Sequence, residues 1–235
     1  MLNKLKVAGL NVEVGYKYPT MVKQAEYYKT DFEKADITID IPEETLVSLQ
    51  KENPHLSMDD CEYIFTGARF YESVLDFGGM LLHSSCIMTD GYAYMFTADS
   101  GVGKSTHAGL WRKYLGDDKV KVINDDKPVI RMKGDEVFAC GTPWSGKTDM
   151  NMDIKAPIGA VVCVERAEKS FVERITPSVA IPLLMQQTLR PREIDKMNTL
   201  LDVLNKLLTN VPVYRLGCDI SKEAFEVCYN TVKVR

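Results

Sequence analysis

The chain has 235 residues, 45% of them hydrophobic, which is enough to bury a substantial core and allows one or two domains. Its net charge is −4 with no basic block, which argues against a nucleic-acid partner. No apolar run approaches the roughly 18 residues needed to span a bilayer, and the first residues lack the apolar centre of a secretion signal, so a soluble cytoplasmic protein with no membrane partner is expected.

In chain order, Leu5, Val7, Leu10, Val12 and Val14 alternate as in a half-buried pair of strands, and residues 35–41 repeat with period two, the clearest strand pattern present. Pro42 opens a short helix. Ser57 and Asp60 form a capping-box pattern ahead of a helix expected to run to about Leu75 and to stop at Gly78-Gly79. Residues 1–79 thus read as an N-terminal α+β extension packed on a core of residues 80–235.

The core opens with two strands, Ser84–Thr89 and Tyr92–Thr97, around Asp90-Gly91, the dipeptide favoured in a two-residue hairpin turn. A helix is expected over 106–115, a strand over 120–124, a hairpin around Lys133-Gly134 and a strand over 160–164. The last third is more helical. Met197, Leu200, Leu201, Leu204, Leu207 and Leu208 recur at helical spacing and read as core. A final strand over 211–216 precedes a helix capped by Ser221. Six cysteines (Cys61, Cys86, Cys140, Cys163, Cys218 and Cys228) are widely spaced without a C-x-x-C pair, and read as buried reduced thiols.

Between the hairpin and the first core helix lie Ala98, Asp99, Ser100, Gly101, Val102, Gly103, Lys104, Ser105 and Thr106, all expected to touch a nucleotide. They fit G-x-x-x-x-G-K-S/T except at Ala98, where a methyl group costs little if the backbone keeps a negative φ. Gly101 and Gly103 let backbone N–H groups converge on phosphate oxygens, Lys104 reaches the β and γ phosphates, and Ser105 ligates Mg²⁺. The following helix aims its free N–H groups and dipole at the same place. ATP or GTP with Mg²⁺ is therefore expected.

The N-K-x-D of GTPases and the L-S-G-G-Q-like signature of ABC ATPases are both missing. Instead, an apolar strand delivers Asp125 and Asp126 to its C-terminal end, the edge where open α/β sheets bind ligands. Two adjacent carboxylates can divide the work, one holding metal and the other accepting a proton from a hydroxyl. A solvated turn with two acids is the plain alternative.

His83, fifteen positions before Ala98, then the Asp-Gly hairpin, the phosphate loop and a strand ending in Asp-Asp together resemble the catalytic half of HPr kinase/phosphorylase, of the phosphoenolpyruvate carboxykinase-like kinases. The resemblance covers roughly residues 80–165. It implies an α/β fold with the P-loop kinase core of that type, a mixed sheet flanked by helices. It also implies His83 as active-site histidine, Lys104 as phosphate-loop lysine, Ser105 as magnesium ligand, and Asp125 and Asp126 as proton acceptor and metal neighbour, with Asp126 placed at the metal. Three departures stand beside it. The 141–147 loop differs from the family's run, and the family's glutamate metal ligand corresponds at best to Asp153. The loop associated with phosphorolysis has no match, and residues 1–79 do not resemble the bifunctional enzyme's first domain.

In the 141–147 loop, Ser145, Lys147 and backbone N–H groups can grip a second phosphate or an anionic acceptor, or the segment is an ordinary connection around a buried Trp144. Arg190 either lends positive charge to a transferring phosphoryl group or ends a solvated helix. The expected function is an ATP- and Mg²⁺-dependent kinase acting on a hydroxyl acceptor, a serine in a protein, a peptide or free. A catalytically silent nucleotide-binding regulatory module and a small-molecule kinase with a non-serine acceptor are the alternatives, and a homo-oligomer stays open.

Overall fold

Alternation in the first residues does what period two demands: β1 (Leu2–Val7) and β2 (Leu10–Gly15) pair antiparallel, and Leu5, Val7, Leu10, Val12 and Val14 are all buried. The computed structural model describes residues 2–234, the Lys147 side chain excepted. β3 (Ile37–Ile39) adds to β2 in parallel and is shorter than the expected 35–41, because Asp36 is occupied in a loop contact with Asn11. A helix that the pattern did not indicate, α1 (Pro19–Gln24), is followed by α2 (Glu43–Glu52) and α3 (Met58–Ser73). The capping box forms as the sequence predicts: Asp60 N–H donates to Ser57 Oγ, and Asp60 Oδ2 accepts from the Ser57 N–H. α3 tightens into a 3₁₀ turn over Val74–Phe77, and Gly78 turns the chain with φ 68°.

Two sheet sections share one long strand. β4 (Gly79–Leu81), β8 (Val129–Lys133) and β9 (Glu136–Cys140) lead antiparallel onto the start of β10 (Lys155–Arg166). The rest of β10 runs parallel to β6 (Tyr92–Thr97) and β12 (Val213–Cys218). β10 therefore extends well beyond the expected 160–164, and its register shifts between Ile158 and Ala160. β5 (Ser84–Thr89) lies antiparallel between β6 and β7 (Lys121–Asn124), and β11 (Phe171–Arg174) closes the other edge on β12.

Helices cover both faces. α5 (Pro177–Gln186) and α6 (Ile194–Asn210) lay Leu184, Leu200, Leu204 and Leu207 against Met80, Leu82 and Met95. Leu201, counted into that stripe from sequence, is 43% exposed; Val203 takes its place on the buried face. α4 (Lys104–Leu115) and α7 (Lys222–Val232) bring Trp111 and Phe225 onto Tyr94 and Phe96. The interior of residues 2–77 is continuous with the core, since Phe70 and Tyr71 pack with Val129, Cys140 and Trp144. All six cysteines are buried and unpaired. No helix among the described residues is long and apolar enough to cross a membrane.

Candidate functional site

β6, β7, β10 and β12 run parallel, so their C-terminal ends share one edge of the sheet; β5, inserted antiparallel, begins at that same edge. His83, the phosphate loop after β6, and Asp125 and Asp126 after β7 are thereby delivered to one place by topology alone.

At the loop, Gly101 and Gly103 sit at φ 79° and 132°, where a side chain would be strained, whereas Ala98 is not among the positive-φ residues. α4 starts at Lys104, two residues earlier than expected, with Gly103 as its uncapped N-cap. Lys104 Nζ folds back to donate to the Ala98 carbonyl at 2.9 Å and to that of Asp99 at 3.4 Å. Burial lowers the Lys104 pKa, and the carboxylates of Asp126, Asp125 and Asp99 counter it. From outside, Arg166 at the end of β10 donates to the Gly101 carbonyl at 2.7 Å and pins the loop.

Asn124 organises the acid pair. Its Oδ1 accepts the N–H groups of Asp126 and Lys127, while its Nδ2 donates to the carbonyls of Thr142 and Trp144. Asp125 is buried, and its Oδ1 accepts from Ser85 Oγ at 2.5 Å. Asp126 is more open: Oδ1 meets His83 Nε2 at 3.0 Å and Oδ2 meets the Lys127 ammonium. Burial works to raise the Asp126 pKa, but the His83 hydrogen bond and the Lys127 charge outweigh it and hold the group down at about 2.

The 141–147 loop closes the opposite wall. Trp144 is buried and stacks on Phe70, centroids 4.9 Å apart. The Ser145 hydroxyl, read from sequence as a candidate phosphate contact, is fully buried and bonded to Gln24 Oε1 and Asn151 Nδ2. The Tyr63 hydroxyl accepts the N–H groups of Ser145 and Gly146 at 2.6 and 3.2 Å. The Lys147 side chain lies outside the described residues. Arg190 is exposed beyond α5 and does not line the cleft, and Asp153 has Tyr28 and Cys140 for electrostatic neighbours instead of the acid pair.

The result is a cleft of about 750 Å³ whose walls are the phosphate loop with Lys104, Ser105 and Thr106, then His83 with the acid pair, then Thr20 and Tyr63 from residues 2–77. Tyr63, Asn124, Arg166 and Gln187 escaped the sequence reading, since none sits in a motif. Asn124, next to the Asp-Asp pair, left the only local signal. Among the described residues no three His, Cys, Asp or Glu side chains gather as a ready metal cage. Ser105 and one carboxylate fit a Mg²⁺ that arrives with phosphate oxygens, the usual way this hard, strongly hydrated ion is held.

No family model matches the chain, and no curated protein matches it. Among solved structures, the HPr(Ser) kinase/phosphatase from Coxiella burnetii is similar over 64% of this chain and 94% of its own, with a TM-score of 0.38 and 8% sequence identity.

Proposed function

We propose that the protein is a P-loop phosphotransferase of the phosphoenolpyruvate carboxykinase-like type, moving the γ-phosphoryl group of ATP to a hydroxyl, with serine in a protein, a peptide or free as the acceptor. The observation that carries this reading is the convergence of His83 and Asp126, 3.0 Å apart, with Lys104 in one cleft, against a phosphate loop whose cationic residue has only carbonyls as hydrogen-bond partners.

The loop N–H groups and Lys104 bind and align the phosphates. Mg²⁺, when bound, would neutralise phosphate charge, and Ser105 with Asp125, of which only Oδ1 has a hydrogen-bond partner among the described residues, would hold it. Asp126, open to the cleft, receives the acceptor proton. A carboxylate held at about 2 is a weak base towards a free hydroxyl. It takes the proton late, once the acceptor oxygen has begun to bond phosphorus and its proton has become acidic, which suits a loose transition state. His83 keeps Asp126 ionised and pointed at the acceptor. Thr20 and Tyr63 line the cleft from residues 2–77 and would face the acceptor.

The test is incubation with γ-labelled Mg-ATP and a panel of free serine and serine-bearing peptides. Label transferred to serine supports the reading. Nucleotide binding without transfer to any hydroxyl points instead to a silent regulatory module.

A further inference from the structure

Gln187, just past the end of α5, holds His83 twice and Asp99 once. Its backbone carbonyl accepts the His83 N–H at 2.7 Å, its Oε1 lies 3.1 Å from His83 Nδ1, and its Nε2 donates to Asp99 Oδ1 at 2.8 Å. The direction of the amide is fixed by its partners. An ionised Asp99 only accepts, so it takes the NH₂ end and leaves the amide oxygen to the imidazole. His83 Nδ1 then donates to that oxygen, while Nε2 lies 3.0 Å from Asp126 Oδ1. The side chains form an unbroken chain, Asp99 to Gln187 to His83 to Asp126, running from the phosphate loop to the acid pair.

Gln187 is only 9% exposed, so water is a poor substitute for either partner, and an amide with both ends engaged in such surroundings is stiff. It does not line the cleft; it borders a cavity of about 850 Å³ on the other side of the phosphate loop, with Asp99 and Val102. Its side chain reaches the cleft through His83 and the phosphate loop through Asp99.

We propose that Gln187 is a positioning residue that holds the His83 ring through Nδ1 and ties its orientation to the phosphate loop through Asp99. The geometric half of this stands on the hydrogen bonds alone, and the kinetic half rests on the kinase reading. It differs from that reading in what defeats it, because the protonation pattern of His83 can be observed without an acceptor.

The experiment compares wild type, Gln187→Leu and Gln187→Glu by ¹H–¹⁵N imidazole spectra and by steady-state transfer. Wild type should show a slowly exchanging His83 Nδ1–H signal. Gln187→Leu should lose the Nδ1 signal and lower kcat about tenfold with the KM for Mg-ATP within about twofold. Gln187→Glu keeps an acceptor for Nδ1–H and should keep that signal, while its carboxylate beside Asp99 raises the KM. An unchanged Nδ1 signal and full kcat in Gln187→Leu would overturn the proposal, as would loss of the Nδ1 signal in Gln187→Glu. If Gln187→Leu does not fold, the Gln187→Glu spectrum decides. If wild type transfers no phosphoryl group, the spectra still decide the positioning claim and the kinase reading fails alone.

Discussion

Gly146 presses against Asp126 so closely that a β-carbon on it would lie 2.8 Å from both Cγ and Oδ2 of the carboxylate. Its φ of 68° adds backbone strain to any substitution. Gly146→Ala should therefore move Asp126 off His83 and leave the phosphate loop untouched. We expect kcat to fall on the order of tenfold or more with the KM for Mg-ATP nearly unchanged. Full kcat in a folded Gly146→Ala would mean that the position of Asp126 does not matter to the reaction.

Lys104→Ala should abolish transfer and weaken nucleotide binding. The ammonium bonds only to the Ala98 and Asp99 carbonyls, so little of the fold depends on it. At free Mg-ATP of one hundred times Kd, linkage stabilises the wild type by about 2.7 kcal/mol. A thermal shift in wild type that is missing in Lys104→Ala is the expected outcome. Equal shifts in both proteins would place the nucleotide elsewhere.

The two carboxylates should part company on conversion to amides. Asp125→Asn should need more Mg²⁺ for half-maximal rate, because it loses ligand charge. Asp125 also accepts the Ser85 hydroxyl, an interaction that an amide oxygen can retain, so the variant should fold. A wild-type magnesium requirement in this variant would remove Asp125 from the metal.

His107 sets an acid limit on stability. It is buried in α4, where its Nε2 accepts the Trp111 indole N–H at 3.3 Å, so the ring is neutral with its proton on Nδ1. Burial lowers its pKa from 6.5 to about 4. The unfolded chain thus binds a proton that the folded one refuses. Stability is complete above about 6.5, falls as pH drops towards 4, and loses on the order of 3 kcal/mol in that window. The Asp126 contribution, from a carboxylate lowered from 3.8 to about 2, is present above that range and disappears only as pH falls from about 4 to 2. Urea titrations at stepped pH should show the first decline in wild type and not in His107→Leu. The same decline in both would assign it to other groups.

HPr should be a poor acceptor, and phosphate-driven dephosphorylation of its phosphoserine should be undetectable. Thr20 and Tyr63, which line the cleft where the proposed acceptor would sit, come from the part of the chain whose sequence departs from the HPr kinase pattern. Efficient phosphorylation and dephosphorylation of HPr by purified protein would contradict this assignment of the acceptor wall.

What sequence made legible was local. The first hairpin, the Ser57 capping box, the Asp90-Gly91 turn and the phosphate loop each follow from a few adjacent residues. β10 was cut short because Pro157 and Gly159 look like breakers, yet Pro157 sits where the antiparallel pairing with β9 ends and Gly159 lies at the register shift. β11 was invisible because an exposed edge strand of Phe-Val-Glu-Arg carries no buried alternation. In the cleft, the separation of His83 from the loop and the acid pair could be seen, but the residues that hold them could not. Asn124 bonds to a loop eighteen residues later, Tyr63 to one about eighty residues later, and Gln187 to His83 across 104 positions. Such partners are brought together by the sheet and leave no mark in the local pattern.

The most direct test is single-turnover transfer of labelled γ-phosphoryl from Mg-ATP to serine acceptors, comparing wild type with Asp126→Asn at equal nucleotide occupancy. The amide keeps the shape of the side chain and removes its charge and basicity. The account predicts transfer by wild type and a loss on the order of 10²-fold or more in Asp126→Asn, with Mg-ATP affinity within a few-fold. An undiminished rate in Asp126→Asn, or no transfer by wild type to any hydroxyl, would contradict it.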